Sequence, residues 1–211
     1  MSVSESTFQN NNALEGGAIY YECSLKRTCQ VTISNSTFTN NIALTKGGAI
    51  MYTFYRPTLI KNTFTTNTAS YGQNIASYPV KVSVKDSPDD SIELTNVGSG
   101  IVYATSITMA LYDYDNQITS LENTSQIVLT GNSTGSSVLG INSKRVLGGQ
   151  ATFDSVEFIS APGAKNVIFN IVSPVVVLSK LRLAYGSDFS LNKINVDFRY
   201  CKPGEFISAN T

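Results

Sequence analysis

One stretch of this chain is written nearly three times over. Ser6-Thr7-Phe8 leads through Asn10-Asn11 and Ala13-Leu14 to Gly16-Gly17-Ala18-Ile19-Tyr20. Ser36-Thr37-Phe38 leads through Asn40-Asn41 and Ala43-Leu44 to Gly47-Gly48-Ala49-Ile50. A more divergent copy runs from Asn62-Thr63-Phe64 through Asn67 and Ala69 to Gly72-Gln73-Asn74-Ile75. Phe8 and Phe38 are 30 residues apart, Phe38 and Phe64 are 26 apart, and Asn11/Asn41/Asn67 and Ile19/Ile50/Ile75 keep step. A period of that length means stacked units, none able to bury its apolar face alone.

The unit is β. Gln30–Ser34 and Ala49–Tyr52 are short and β-prone, and no three-turn amphipathic helix fits between the glycines and asparagines. A parallel β-helix meets these constraints, with coils stacked about 4.8 Å apart and equivalent side chains above one another. Phe8, Phe38 and Phe64 are then expected to stack inside, and Asn11, Asn41 and Asn67 to form an amide ladder at a bend. The Gly-Gly pairs supply positive φ or close backbone approach. The extra residues of the second copy are expected in an outward loop.

These residues carry a resemblance. Phe8/Asn11, Phe38/Asn41 and Phe64/Asn67, paired with Gly16–Ile19 and Gly47–Ile50, resemble the repeats of chlamydial polymorphic outer-membrane proteins and of large ciliate and protist surface proteins. The resemblance covers roughly residues 1–78, and Gly72-Gln73-Asn74-Ile75 departs from it. It implies a right-handed, pectin-lyase-like β-helix and an exposed, adhesive or structural role.

The texture changes after Tyr78-Pro79 and the polar hinge Asp86–Asp90. Alternating stretches at 106–112, 126–130, 151–159, 167–172, 175–184 and 193–200, separated by turn residues, read as the strands of a sandwich. Gly149–Phe153, Ala161-Pro162-Gly163 and Val167-Ile168-Phe169 resemble bacterial and protist immunoglobulin-like repeats, which implies a spacer or display module. Tyr200-Cys201-Lys202-Pro203-Gly204-Glu205 resembles the opening of an ephrin-receptor-like cysteine-rich repeat. The expected organisation is β-helix coils over 1–80 (the C-terminal end of a longer β-helix), an immunoglobulin-like sandwich over 81–200, and the start of a cysteine-rich module over 201–211.

Composition removes several functions. With 15 basic and 15 acidic residues there is no net field for nucleic acid or an anionic membrane. The lack of histidine excludes Ser-His-Asp and Cys-His catalysis and histidine-ligated zinc. No window is apolar enough to span a bilayer as a helix, and Met1–Glu5 does not open a signal peptide. Cys23 and Cys29 bracket a basic turn containing Lys26-Arg27 and can close a small loop, leaving Cys201 to pair further on. The competing reading is three free thiols in a reducing compartment. Asn35, Asn123 and Asn132 open glycosylation sequons.

Chemistry has few candidates. Polysaccharide-cleaving β-helices need paired carboxylates on adjacent coils, whereas here Glu15 faces Lys46 and no acid occurs between Cys23 and Lys85. Asp86/Asp89/Asp90 and Asp113/Asp115/Asn116 gather oxygens as calcium loops do, and as ordinary turns do more often. Tyr20, Tyr21, Tyr52 and Tyr55 are candidates for a carbohydrate-stacking strip. The expectation is a non-catalytic extracellular or cell-surface stalk or display module without cofactor. Its partners would be neighbouring domains, and surface proteins or glycans. The rivals are a carbohydrate-binding or polysaccharide-cleaving β-helix, and the subunit of an extracellular filament.

Overall fold

The computed structural model describes residues 1–23, 30–86, 91–186 and 192–205. The chain is all-β apart from one short helix, and it divides into two units. The first holds Met1–Val80, Tyr112–Leu121 and the described part of Val177–Ser190; the remainder forms the second. Nothing in the sequence had marked the two later segments as belonging with the coils.

In the first unit the repeat builds three coils. Coil 1 is β1 (Ser2–Ser4), β2 (Thr7–Gln9), β3 (Asn12–Glu15) and β4 (Ile19–Tyr21). Coil 2 is β5 (Thr32–Ser34), β6 (Thr37–Thr39), β7 (Ile42–Lys46) and β8 (Ile50–Tyr52). Coil 3 is β9 (Thr58–Ile60), β10 (Thr63–Thr65) and β11 (Ile75–Ala76), with single bridges at Thr68 and Tyr71 in place of a third-face strand. Equivalent strands pair in parallel across the coils, so β1-β5-β9, β2-β6-β10 and β4-β8-β11 are separate stacks, the arrangement of a β-helix. The second copy has one more residue before its glycines. The register slips between Ala13/Ala43 and Glu15/Lys46, so that residue is taken up within the strand pair and makes no outward loop.

Three corners in each coil are turned by left-handed residues in register. Glu5, Asn35 and Lys61 (φ 48–50°) turn the first, and Asn10, Asn40 and Thr66 (φ 51–56°) the second. The bend is therefore made by the residue just before each ladder asparagine. At the third corner stand Gly16, Gly47 and Gly72, and a Cβ on Gly47 would lie 2.3 Å from the Ile50 carbonyl oxygen.

Inside, the Phe8 and Phe38 rings stack at 4.8 Å and those of Phe38 and Phe64 at 5.0 Å, within a core that includes Val31, Ile33, Ala49 and Ile50. Beside them runs the amide ladder. Asn11 Nδ2 donates to Asn41 Oδ1 (2.7 Å) and Asn41 Nδ2 to Asn67 Oδ1 (2.9 Å); each of these oxygens also accepts the backbone N–H of the ladder residue in the coil before. A second ladder serves the first corner: Ser6 N–H donates to Ser36 Oγ and Ser36 N–H to Asn62 Oδ1.

Coil 3 ends the stack chemically. Asn74 stands where coils 1 and 2 have Ala18 and Ala49, and its Oδ1 accepts from Asn67 Nδ2 at 3.1 Å, the bond a fourth coil's asparagine would otherwise take. Gln117, from a returning segment, donates through Nε2 to the Ile75 carbonyl at 2.9 Å. The departure from the repeat at Gly72-Gln73-Asn74 is its terminator.

The stretch 175–184, read as a strand, is instead a helix in the first unit, α1 (Leu178–Tyr185). Leu178, Leu181 and Ala184 recur at helical spacing, the last two are buried, and Gly186 N–H closes the end on the Arg182 carbonyl.

The second unit carries β12 (Lys81–Val84), β13 (Ile92–Val97), β14 (Ile107–Tyr112), β15 (Gln126–Gly131), β16 (Ser137–Gly140), β17 (Ser143–Arg145), β18 (Gln150–Phe153), β19 (Val156–Ile159), β20 (Val167–Val172) and β21 (Lys193–Phe198). They form a sheet β13-β21-β20-β15-β17, a sheet β12-β14-β18 and the pair β16-β19. Pairing is antiparallel in each registered case except β13 with β21. Alternation puts Ile194, Val196 and Phe198 inside, and Phe169 meets Phe158 edge-on at 4.9 Å.

The described tail is clipped. Arg199 makes a two-pronged bond to Glu205, 2.7 Å on each prong, and Lys202 N–H donates to the same carboxylate. Arg199 holds the Glu205 carboxyl down to about 2, from 4.5. The clip is therefore complete above pH 4.5 and is lost as pH falls toward 2. A carboxyl-detected NMR titration is expected to show this depression. A Glu205 midpoint near 4.5 would mean the clip is not formed.

Candidate functional site

The chemistry-bearing side chains of the first unit converge on one acidic turn. Asp113 shapes it: its Oδ1 accepts the backbone N–H groups of Asp115 (2.9 Å) and Gln117 (2.8 Å), and Asn116 takes φ 60°. The turn meets the coils through tyrosines. Tyr71 Oη donates to Asp113 Oδ2 at 2.6 Å, beside Gln117 Nε2 at 3.0 Å. Tyr52 Oη donates to Asp115 Oδ2 at 2.8 Å, while Arg56 donates to Asp115 Oδ1 through Nε (2.9 Å) and Nη2 (2.6 Å).

Burial, then the neighbouring carboxylates, raise both phenols well above the ordinary 10.0. Burial likewise raises Asp113, against the pull of its four donors. The folded phenols hold their protons more tightly than the unfolded ones, so this stabilisation is complete below pH 10.0 and declines as pH rises past it. Tyr71→Phe removes one charge-assisted bond and leaves Asp113 three donors. The expected loss is about 2 kcal/mol in urea unfolding, with weaker alkaline sensitivity. An unchanged midpoint would show that the bond carries nothing.

Beside this network lies an open cavity of about 380 Å³, walled by Tyr55, Arg56, Leu59, Tyr114 and Tyr185. The Tyr185 ring lies 4.9 Å from Tyr114 and 6.2 Å from Tyr55, all three nearly parallel. The Arg56 backbone N–H donates to Tyr185 Oη at 3.3 Å.

The sequence-derived candidates fare differently. Asp113 and Asp115 present their oxygens to hydrogen-bond donors, as in an ordinary turn: a cation at Asp113 would have to displace four donors from a buried carboxylate. Among the described residues no group of three acidic or cysteine side chains could hold a metal. In the other acidic loop, Asp89 and Asp90 lie outside the described residues. The tyrosine strip is not a strip, since Tyr20 is exposed while Tyr52 is fully buried on Asp115. Glu15 and Lys46 pair across coils 1 and 2 at 3.3 Å.

Cys23 is buried and exchanges hydrogen bonds with Thr53 Oγ1; Cys29, Lys26 and Arg27 lie outside the described residues. Cys201 is a free, exposed thiol. Asn35 is exposed on its left-handed corner, and Asn123 and Asn132 are exposed in the second unit. Asn123 Oδ1 accepts the Gly148 N–H at 2.7 Å. Sequence reasoning missed the Tyr–Asp pairing and the cavity; the alternation Tyr112-Asp113-Tyr114-Asp115 was the one available signal.

Comparison with known proteins bears on the coils first. The Chlamydia polymorphic membrane protein repeat matches residues 5–22 and 35–52, the segments that hold β2, β3 and β4 of coil 1 and their register mates β6, β7 and β8 of coil 2. The chain is also similar to a transmembrane domain-containing protein of Dictyostelium discoideum, 34% identical over 131 residues, covering 56% of this chain and 8% of that relative. No solved structure matches. Among the described residues no helix is long and apolar enough to cross a membrane.

Proposed function

We propose that this chain is a section of a large extracellular or cell-surface protein and serves as a non-catalytic stalk or display element. In this reading residues 1–80 are the C-terminal end of a longer right-handed parallel β-helix. Residues 81–200 are an immunoglobulin-like sandwich with two returns to the coils, and 201–211 open a cysteine-rich module. The observation that carries it is the use of the repeat's polar groups: Asn11, Asn41, Asn67, Ser6, Ser36 and Asn62 all hold coil to coil. The similarity to a membrane-protein repeat family and to a transmembrane domain-containing protein supports the surface location. A Cys23–Cys29 disulfide and glycans on Asn35, Asn123 and Asn132 fit the same compartment.

The reading is tested by labelling intact cells with an antibody raised against residues 1–211, then mapping the protein by mass spectrometry. Staining without permeabilisation, with Cys23 linked to Cys29, is expected. Staining that needs permeabilisation, together with free thiols, would overturn it. Head-to-tail filament growth through the coils is disfavoured, because Asn74 and Gln117 occupy the groups of coil 3 that a following coil would use.

A further inference from the structure

We infer that the cavity walled by Tyr55, Tyr114 and Tyr185 is a binding site for a neutral sugar ring. The inference deepens the surface reading, on which it rests for its biological meaning though not for its chemistry. Three features converge. The volume, about 380 Å³, is large enough for a small ligand. Its walls are tyrosines whose stacking, Tyr185 against both Tyr55 and Tyr114, fixes them in place, so little side-chain freedom is lost on binding. The outer face of the exposed Tyr114 ring is the surface that takes the C–H side of a pyranose.

The third feature is charge. The one cation among the described lining residues, Arg56, is paired with Asp115, whose Oδ1 accepts hydrogen bonds from its Nε and Nη2. Arg56, paired with Asp115, and the exposed Thr58 thus bring hydrogen-bond donors to the lining with no net positive charge on the pair. A phosphate, sulfate or uronate would have to compete with Asp115 for the guanidinium, whereas a hydroxyl-bearing neutral ring needs only directed hydrogen bonds. The guanidinium is also held in a fixed plane by Asp115, which is itself bonded by Tyr52, so the donors are oriented before the ligand arrives.

The test uses the 1–211 protein and ligand-observed saturation-transfer NMR with four probes: methyl α-mannoside, methyl β-galactoside, N-acetylglucosamine and glucuronate. At least one neutral glycoside is expected to receive saturation and to bind at least about tenfold more tightly than glucuronate. Tyr114 is 43% exposed and loses one stacking partner, so Tyr114→Ala is expected to lower the thermal midpoint by only about 2–4 °C and weaken that glycoside at least about tenfold, with Tyr114→Phe retaining both. Three outcomes would overturn the inference: no saturation of any neutral probe, equal transfer to wild type and Tyr114→Ala, or preference for glucuronate. Loss of the sugar site would leave cell-surface exposure standing, since the antibody labelling is read independently. Intracellular staining with intact sugar binding would separate the two the other way.

Discussion

Gly48→Ala is expected to remove a large part of the stability of the coil unit. The second glycine of each pair does a different job from the first. A Cβ on Gly48 would lie 2.1 Å from the Gln73 carbonyl oxygen and 2.7 Å from that of Thr68, both backbone atoms of the next coil. Neither can swing aside, since relieving the clash means moving coil 3 as a whole. The cost is about 4 kcal/mol or more, against a typical domain stability of about 5–15 kcal/mol. Gly100→Ala is the control: its φ is +67° and a Cβ there would meet nothing within 4 Å, so only the left-handed backbone is penalised, at about 1–2 kcal/mol. Thermal unfolding followed by circular dichroism separates the two. A Gly48→Ala protein that melts like Gly100→Ala would show that the coils have room the geometry denies.

Asn41→Ala should give the largest loss of any single ladder residue. Asn41 is completely buried, and its side chain serves both neighbouring coils. It accepts from the Asn11 backbone and side-chain amides and donates to the Phe8 carbonyl (3.0 Å) and to Asn67 Oδ1. Alanine strands those groups in an interior where each unpaired one costs about 1–3 kcal/mol, for an expected total of about 3–5 kcal/mol after partial relaxation. Asn11→Ala, at the exposed side of the ladder, is expected to lose about 1 kcal/mol. Urea unfolding monitored by tyrosine fluorescence would measure the difference. Equal losses at positions 11 and 41 would mean the ladder is not cooperative.

How far the sequence revealed this molecule depends on whether a feature repeats. Phe8, Asn11 and Gly16-Gly17 could be placed because each returns at a fixed distance, and a stack forces equivalent residues onto one line. The corner residues were hidden by the same logic: Glu5, Asn35 and Lys61 share a φ near 50° but no side-chain chemistry, so no letter marks them. The helix at 178–185 was obscured by Val175-Val176-Val177, a β-branched run that suggests extended chain while Leu178, Leu181 and Ala184 carry the helical period. The Tyr–Asp network was illegible because its partners, Tyr71 with Asp113 and Tyr52 with Asp115, lie 42 and 63 residues apart with no repeat to relate them.

Gln73 and Asn74 break the repeat, and with it the risk that a stack of parallel strands carries. Every coil built on Gly-Gly-Ala-Ile offers its next neighbour the same bare backbone and unfilled amide, an edge on which any other chain with the motif could template. Gln73 puts a side chain where Gly17 and Gly48 leave space for a carbonyl, and Asn74 saturates the ladder from within. Those two residues thus put, at the repeat's own position rather than beside it, side chains of the kind that block edge-to-edge templating.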